Sequence, residues 1–245
     1  MNIDDRTVKA LGGDVMAKLK SLQFCIVGCG GTGATFAELL IRTGARNLVL
    51  VDGGKVNETN LNRVLTFGLS DCGKNKSGAL KERLESIRTG LNISELPDSF
   101  RARENILPDN KLGQKVRDAV HDADIVFIGT DTNKSRLNIE ELCLENGKRH
   151  YLSCGILVDQ DRGLFEYECT WSPKTPTNRL EDEGYGPENA SFASLVHEAT
   201  SIAFTMLLNH LKCPNSEFKS YFRQYDSCLK PIKTLINGKS NGSIL

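Results

Sequence analysis

Apolar positions follow two different patterns along the first fifty residues, helical spacing and short continuous runs, and each pattern indicates a different kind of element. Helical spacing extends over residues 4–20, where a glycine pair interrupts it. A short apolar run at 24–27 predicts a buried strand, the spacing over 34–42 predicts a helix, and a second run at 48–51 predicts another strand. A strand, a glycine-containing turn, a helix and a strand in this order indicate a βαβ unit.

The remaining chain continues the alternation. Further helices are predicted at 78–88, 111–121, 133–146 and 189–211, and further strands at 99–102, 124–129, 151–157 and 163–171. Prolines and polar residues at 172–187 predict a surface loop, and the last residues predict a frayed tail. The fold class predicted is α/β: a Rossmann-like, doubly wound, mostly parallel sheet with a mixed C-terminal strand region and a long apolar helix.

Composition removes some classes of protein. The 245 residues include 31 basic and 31 acidic side chains, and 39% of them are hydrophobic. A hydrophobic fraction of this size excludes a disordered or collagen-like chain. Zero net charge gives no whole-molecule argument for binding to nucleic acid or to a membrane surface, so neither partner is expected.

No segment has the pattern of an export signal or a membrane span. Residues 1–13 carry acids where a signal peptide needs a basic start and an apolar run. The most apolar later stretch, 192–211, contains two histidines, a glutamate and an asparagine, which make it too polar to cross a bilayer. We therefore expect a cytoplasmic protein.

Eight cysteines raise the question of zinc or disulfides, but their spacing favours neither. The sequence contains no C-x-x-C pair. Cys25 and Cys29 fall on a predicted strand and its turn, roughly 13 Å apart at the strand rise, so they cannot share one ion. We expect most of the thiols to be reduced packing residues, and we expect no zinc site.

The turn after the first predicted strand has the pattern G-x-G-x-x-G, with glycines at Gly28, Gly30 and Gly33. Glycines let such a turn close tightly and let backbone N–H groups approach a polyphosphate at the start of the following helix. Asp52 ends the next strand, where an acid can bind ribose hydroxyls. These residues alone leave a dinucleotide, ATP and a purely structural turn open.

Polar residues downstream favour a triphosphate. Asn60, Asn62 and Arg63 follow Asp52 closely, and Lys76 comes soon after. An arginine can hold phosphate oxygens bidentately, while a lysine supplies a point charge.

Asp131 stands just past the strand predicted at 124–129. A carboxylate there can hold a Mg²⁺ ion that bridges phosphates. The alternative role for Asp131 is an N-cap of the next helix, and both roles can coexist.

Together these motifs resemble the ThiF/MoeB/HesA adenylyltransferase superfamily, whose fold is shared by ubiquitin-activating enzymes. The resemblance covers roughly residues 6–170 and, more loosely, the helix that ends near 211. The matching positions are Gly28, Gly30, Gly31 and Gly33 for the phosphate turn, Asp52 for the ribose, Asn60, Asn62 and Arg63 for N-x-N-R, Lys76 for the lysine of G-x-x-K, and Asp131 for Mg-ATP.

The resemblance implies ATP and Mg²⁺ as cofactors and the adenylation of a carboxylate. Arg63 and Lys76 would stabilise phosphate charge, and Asp131 would hold the metal. It also implies a homodimer in which an N-terminal arginine reaches the partner's ATP site. Arg6 is the candidate, with a plain surface arginine as the alternative. The implied organisation is a helical arm at 1–22, an ATP-binding adenylation domain at 23–212 and a partly flexible C-terminal extension at 213–245.

The chain departs from the family pattern in its cysteines. Where many members carry paired C-x-x-C zinc ligands, this chain continues from Trp171 without a cysteine, as a short, zinc-free form. The loop in which thioester-forming members place a cysteine has none at 178–187. Cys169 is the nearest thioester candidate, with buried packing as its alternative role. Cys213, a hydroxyl acceptor and direct attack on the adenylate stay open.

The leading hypothesis is ATP-dependent adenylation of the C-terminal carboxylate of a ubiquitin-like or sulfur-carrier-like protein, with a thioester or ester step and a conjugating enzyme as further options. A tRNA threonylcarbamoyladenosine dehydratase-like enzyme is the alternative that a basic C-terminal face would favour. An inert dimer partner of an activating enzyme and an NAD-dependent oxidoreductase are the remaining hypotheses.

Overall fold

A computed structural model gives the fold of this chain. It describes residues 3–97, 111–131, 133–145, 147, 150–159, 161–171, 191–237 and 239–240. The strand predicted at 99–102 and the loop predicted at 172–187 lie outside these residues.

Seven α-helices, nine strands and two short 3-10 helices, Glu58–Asn60 and Leu69–Asp71, occupy the described residues. The helices are α1 Asp5–Leu11, α2 Gly13–Ser21, α3 Gly31–Thr43, α4 Lys76–Ile87, α5 Lys111–Asp122, α6 Asn133–Glu145 and α7 Ala193–Lys212. The strands are β1 Gln23–Val27, β2 Asn47–Val51, β3 Asn92–Leu96, β4 Ile125–Ile128, β5 Tyr151–Asp159, β6 Leu164–Trp171, β7 Ser220–Tyr225, β8 Pro231–Ile236 and β9 Lys239–Ser240.

All nine strands belong to one sheet, in the order β3-β2-β1-β4-β5-β6-β7-β8-β9. The first five strands along the chain pair in parallel, whereas β6 to β9 pair antiparallel. The predicted doubly wound, mostly parallel sheet with a mixed C-terminal region is confirmed. The strand order reverses between β1 and β4, and ligands bind at such a point in open α/β sheets.

Strand β1 shows why the sheet needs helices on both faces. Successive side chains of a strand point to opposite sides, and here both sides are apolar. Phe24 and Ile26 join a core with α2, α3, α4 and α7, whereas Cys25 and Val27 join a second core with α5 and α6. The result is a central sheet between two helical layers.

Helix α7 is the longest helix of the described chain, with 20 residues. It packs on α3, where the rings of Phe36 and Phe204 meet edge to face with centroids 5.6 Å apart. Its buried residues are Leu195, Val196, Ala199, Thr200, Ala203, Phe204, Met206 and Leu207. No helix of the described residues is both long and apolar enough to cross a membrane.

Four strands of the sheet were not predicted. Strand β3 pairs with β2 at one edge, and β7 to β9 lie in the segment expected to be a C-terminal extension. Most side chains of β3 and β8 are exposed or only partly buried, so their sequences lack the apolar runs that indicate a strand. Strand β3 is held by its pairing with β2, whereas β8 is held by antiparallel pairing with its chain neighbours β7 and β9.

Candidate functional site

The segment that leads from β1 into the first turn of α3, residues 28–33, is closed by contacts that only glycine permits. Gly28 has φ +93°, and its N–H donates to the Val51 carbonyl at 2.8 Å. A methyl group at Gly28 would lie 2.7 Å from the carbonyl oxygen of Gly129, and one at Gly33 would lie 1.7 Å from the carbonyl oxygen of Gly28. We call residues 28–33 the glycine turn.

The middle of the glycine turn is open. A methyl group at Gly30 would meet no described atom within 4 Å, whereas one at Gly31 would lie 3.0 Å from a Val196 methyl on α7. Helix α3 begins at Gly31, and no described side chain caps its first backbone N–H groups. An uncapped helix N-terminus beside open space can bind an anion, because its N–H groups and helix dipole both favour negative charge.

Asp52, just past β2, is fixed through both of its carboxylate oxygens. Oδ2 accepts a hydrogen bond from the backbone N–H of Cys29 at 2.7 Å. Oδ1 accepts one from the N–H of Gly54, also at 2.7 Å. The acid predicted to bind ribose therefore also joins the end of β2 to the glycine turn.

Arg63 reaches the glycine turn and is oriented by its own loop. Its Cγ lies 3.7 Å from the position of a methyl group at Gly31. Its Nη1 donates to the Thr59 carbonyl at 3.0 Å and to Asn62 Oδ1 at 2.9 Å. Burial lowers the pKa of Arg63, and the charge of Asp131 opposes that shift. Arg63 therefore lies close enough to Asp131 for their charges to interact.

The two asparagines of N-x-N-R have different contacts. Asn60 is buried, and its Oδ1 accepts a hydrogen bond from the Asn57 N–H at 3.1 Å. Asn62 is exposed, and its Nδ2 donates to the Ser191 carbonyl at 2.9 Å. Asn60 therefore shapes the loop, whereas Asn62 joins that loop to the start of α7 and orients Arg63.

Lys76 is the first residue of α4, and its N–H donates to the Gly54 carbonyl at 2.9 Å. A methyl group at Gly54 would lie 3.5 Å from the Lys76 ammonium nitrogen and 3.0 Å from Asp52 Oδ1. Burial, followed by the charge of Asp52, raises the pKa of Cys29, and Lys76 acts in the opposite direction. Lys76 therefore lies beside Asp52 and the glycine turn.

Asp131 is exposed and lies three residues after β4. Because β1, β2 and β4 are parallel, their carboxyl ends meet at one edge of the sheet. The glycine turn, Asp52 and Asp131 follow those ends, and Arg63 and Lys76 approach from the connecting segments. We call Arg63, Lys76 and Asp131 the charged rim.

A family comparison agrees with this geometry. Residues 4–235, nearly the whole chain, match the ThiF family. This chain belongs to the ThiF family. This match confirms the resemblance that the motifs indicated, in agreement with the fold class that the structure confirms.

Similar proteins carry several names. The sulfur carrier protein ThiS adenylyltransferase of Escherichia coli (strain K12) is 30% identical over 131 residues, which are 54% of this chain and 48% of that protein. The ubiquitin-like modifier-activating enzyme 5 of Dictyostelium discoideum is 31% identical over 212 residues, 79% of this chain and 53% of that protein. The tRNA threonylcarbamoyladenosine dehydratase of Haemophilus influenzae is 33% identical over 92 residues, 38% of this chain and 35% of that protein.

These matches span about half the length of the relatives or less. Among solved structures, E. coli MccB with ATP superposes with a TM-score of 0.70 at 19% identity, over 99% of this chain and 73% of that one. At this identity the likeness concerns the fold.

The ThiF-family resemblance implied that Arg6 acts on a partner's site, and the structure holds Arg6 away from the site of its own chain. Two residues before Arg6, the buried Asp4 forms ion pairs with Arg88, Arg46 and Lys20. Arg46 directly precedes β2, so this anchor lies at the amino end of the strand that Asp52 follows. Arg6 itself is exposed on α1.

Cys169, the thioester candidate, is fully buried in β6. Its sulfur donates to the Ala199 carbonyl at 3.2 Å and lies 3.6 Å from the sulfur of Cys154. Burial, followed by the hydrogen bond with Cys154, raises the pKa of the Cys169 thiol. A buried neutral thiol is a poor nucleophile, so this geometry favours the packing role.

Gly129, just past β4, is a site residue that the sequence analysis missed. A methyl group there would lie 2.9 Å from the Phe127 ring and 2.9 Å from Thr32 Oγ1. Gly129 therefore lets the end of β4 approach the glycine turn. The glycine directly after an apolar strand was the available signal, but its partners in the glycine turn, Thr32 and Gly33, lie far earlier in the chain.

Proposed function

We propose that this chain is an ATP- and Mg²⁺-dependent adenylyltransferase that activates the C-terminal carboxylate of a ubiquitin-like or sulfur-carrier-like protein. The observation that carries the proposal is the convergence of the charged rim and Asp52 on the glycine turn. Two cations, two carboxylates and an uncapped helix N-terminus match the charges of a nucleoside triphosphate with its metal. A nicotinamide dinucleotide carries less phosphate charge and gives the rim no comparable role.

In this reaction an oxygen of the substrate carboxylate forms a bond to the α-phosphorus of ATP. The bond between that phosphorus and the bridging oxygen breaks, and pyrophosphate leaves with the electron pair. The glycine turn holds phosphate oxygens through backbone N–H groups, and Asp52 binds ribose hydroxyls. Arg63 and Lys76 stabilise the negative charge that develops on the phosphates. Rate enhancement thus comes from positioning and charge stabilisation.

The residues present fit a magnesium ion. Asp131 is an exposed carboxylate beside the phosphate-binding turn, and carboxylate oxygen is a ligand that Mg²⁺ prefers. When bound, Mg²⁺ offsets phosphate charge as a Lewis acid. Asp131 would hold it, and its charge also favours the protonated guanidinium of Arg63.

The proposal includes a homodimer in which Arg6 of one subunit acts at the site of the other. The exposed position of Arg6 and its distance from Asp52 along β2 support this arrangement. The proposed reaction ends at the acyl-adenylate. Its acceptor, and with it any conjugating enzyme, stays open because Cys169 is buried.

Pyrophosphate exchange into ATP tests the proposal, with purified protein and a panel of ubiquitin-fold carriers that end in a free carboxylate. We expect carrier-dependent exchange that Asp131→Ala reduces at least about a hundredfold. Asp122→Ala, an exposed acid at the far end of α5, is the matched control and should leave exchange unchanged. Exchange absent with every carrier, or equal in the two variants, would contradict the proposal.

A second candidate is adenylation within tRNA, as the dehydratase relatives suggest. The observation that favours it is the exposure of Lys230, Lys233 and Lys239 on β8, β9 and the turn before them. Phosphate contacts release counterions, so tRNA binding through these lysines should weaken steeply with salt. Salt-independent binding, or none, would remove this candidate.

A further inference from the structure

Arg136, in the first turn of α6, connects the segment that carries Asp131 to the neighbouring strand. Its Nε donates to the Thr130 carbonyl at 3.0 Å. Thr130 directly precedes Asp131, so this bond fixes the peptide plane from which the Asp131 side chain departs. The same guanidinium reaches β5, where a methyl group at Gly155 would lie 2.8 Å from Nη1 and 3.1 Å from Cζ.

The sheet register explains why Arg136 meets both residues. β4 and β5 are parallel, with Ile128 beside Ser153 as the last pair. Continued by two residues, that register brings Thr130 beside Gly155. The guanidinium therefore lies where the chain leaves β4, and only a residue without a side chain on β5 leaves room for it there.

We propose that Arg136 is a positioning residue that sets the direction of the Asp131 carboxylate, and that Gly155 serves the same role by making room for its guanidinium. The inference rests on the proposed function, since it concerns the metal that Asp131 would hold. Groups that orient a metal ligand change metal affinity about 10- to 100-fold when they are removed. The role of Arg136 should thus appear in metal-dependent binding of ATP rather than in binding of ATP alone.

The test measures ATP affinity by calorimetry, with Mg²⁺ and with a chelator, for the full chain and its variants. Wild-type protein should bind ATP more tightly with Mg²⁺, and Asp131→Ala should abolish that gain. Arg136→Met and Gly155→Ala should each reduce the gain about tenfold while metal-free affinity stays within about twofold. Mn²⁺ binding to the ATP complex, followed by electron paramagnetic resonance, should weaken in parallel.

Two comparisons separate positioning from a general structural role. Gly155→Ala displaces only the flexible end of Arg136, so the double variant should lose no more than either single variant. Gly68→Ala, at an exposed glycine with no described atom within 4 Å of the added methyl group, should behave as wild type. Arg136→Lys should recover part of the gain, because its ammonium can donate to the Thr130 carbonyl.

Equal losses with and without Mg²⁺, or additive losses in the double variant, would overturn the role of Arg136 and leave the proposed function standing. A wild-type chain that binds no ATP would overturn the proposed function itself. Unfolding curves for each variant identify any loss of affinity that comes from a misfolded protein. Gly155→Ala supplies the same test from a second strand if Arg136→Met does not fold.

Discussion

The glycine turn and the charged rim border the same space, but different interactions hold them. The turn is fixed by backbone approaches that leave no room for a methyl group at Gly28 or Gly33. The rim is fixed by a few hydrogen bonds of half-buried or exposed side chains, such as those of Arg63. Steric constraint makes the turn rigid and intolerant of substitution, whereas the rim can adjust. We expect variants at Gly28 and Gly33 to affect folding and variants of the rim to affect chemistry.

The largest effect should come from Gly33→Ala. The added methyl group would lie 1.7 Å from a backbone carbonyl oxygen that cannot move aside. We expect a loss of about 3 kcal/mol or more in the free energy of unfolding, measured with urea. Gly30→Ala is the matched control for stability, because no described atom lies within 4 Å of its added methyl group. Equal losses in the two variants would remove the steric argument.

Arg63→Met and Lys76→Met should separate chemistry from folding. Each variant removes a cation beside the glycine turn and keeps much of the apolar length of the side chain. We expect pyrophosphate exchange to fall about a hundredfold or more, with an unfolding free energy within about 1 kcal/mol of wild type. Lys55→Met, on a nearby exposed lysine, controls for the loss of charge. A rim variant that loses stability but keeps the wild-type exchange rate would contradict the comparison.

Gly30→Ala tests whether the open space at the middle of the glycine turn is where the phosphates bind. No described atom lies within 4 Å of the added methyl group, so unfolding should not change. If phosphate oxygens approach this part of the turn, ATP affinity should fall about tenfold. Calorimetric titration with ATP measures the change. Unaltered affinity would mean that the open space beside Gly30 is not the phosphate site.

The smallest expected effect is that of Asn62→Ala. This variant removes the acceptor for Arg63 Nη1 and the donor to the Ser191 carbonyl. One such hydrogen bond contributes about 1 kcal/mol, so exchange should slow roughly fivefold. Ser70→Ala, at an exposed polar residue further along the same connecting segment, should not reproduce that loss in exchange. An effect as large as that of Arg63→Met would give Asn62 a direct role.

The glycine turn and the charged rim also differ in how they could be predicted from the sequence. The βαβ unit around the glycine turn follows from local periodicity, since each of its elements has an apolar run or stripe. In the charged rim, Arg63 and Lys76 were predicted because they follow Asp52 closely along the chain, and Asp131 because it comes just after a predicted strand. Strands β3 and β8 were not predicted because most of their side chains are exposed or only partly buried, so neither sequence contains an apolar run.

Two residues at the site, Gly129 and Gly155, were not predicted from the sequence because their roles depend on contacts with other elements. Gly129 matters through its approach to Gly33, and Gly155 through its approach to Arg136. Neither contact leaves a short motif, because the partners lie on different elements. Close approaches of this kind can be recognised only once the fold has brought the elements side by side.

The buried Asp4 anchor has a consequence for how activity should depend on protein concentration. Burial alone would raise the pKa of Asp4, but its bond to Arg88 and the nearby cations lower it, so the anchor persists at neutral pH. Because α1 is held at the far end of β2, a subunit cannot complete its own site with Arg6. If the partner's Arg6 completes it, activity per subunit should fall on dilution. Mixing Arg6→Ala with Lys76→Met subunits should then restore one working site in each mixed dimer.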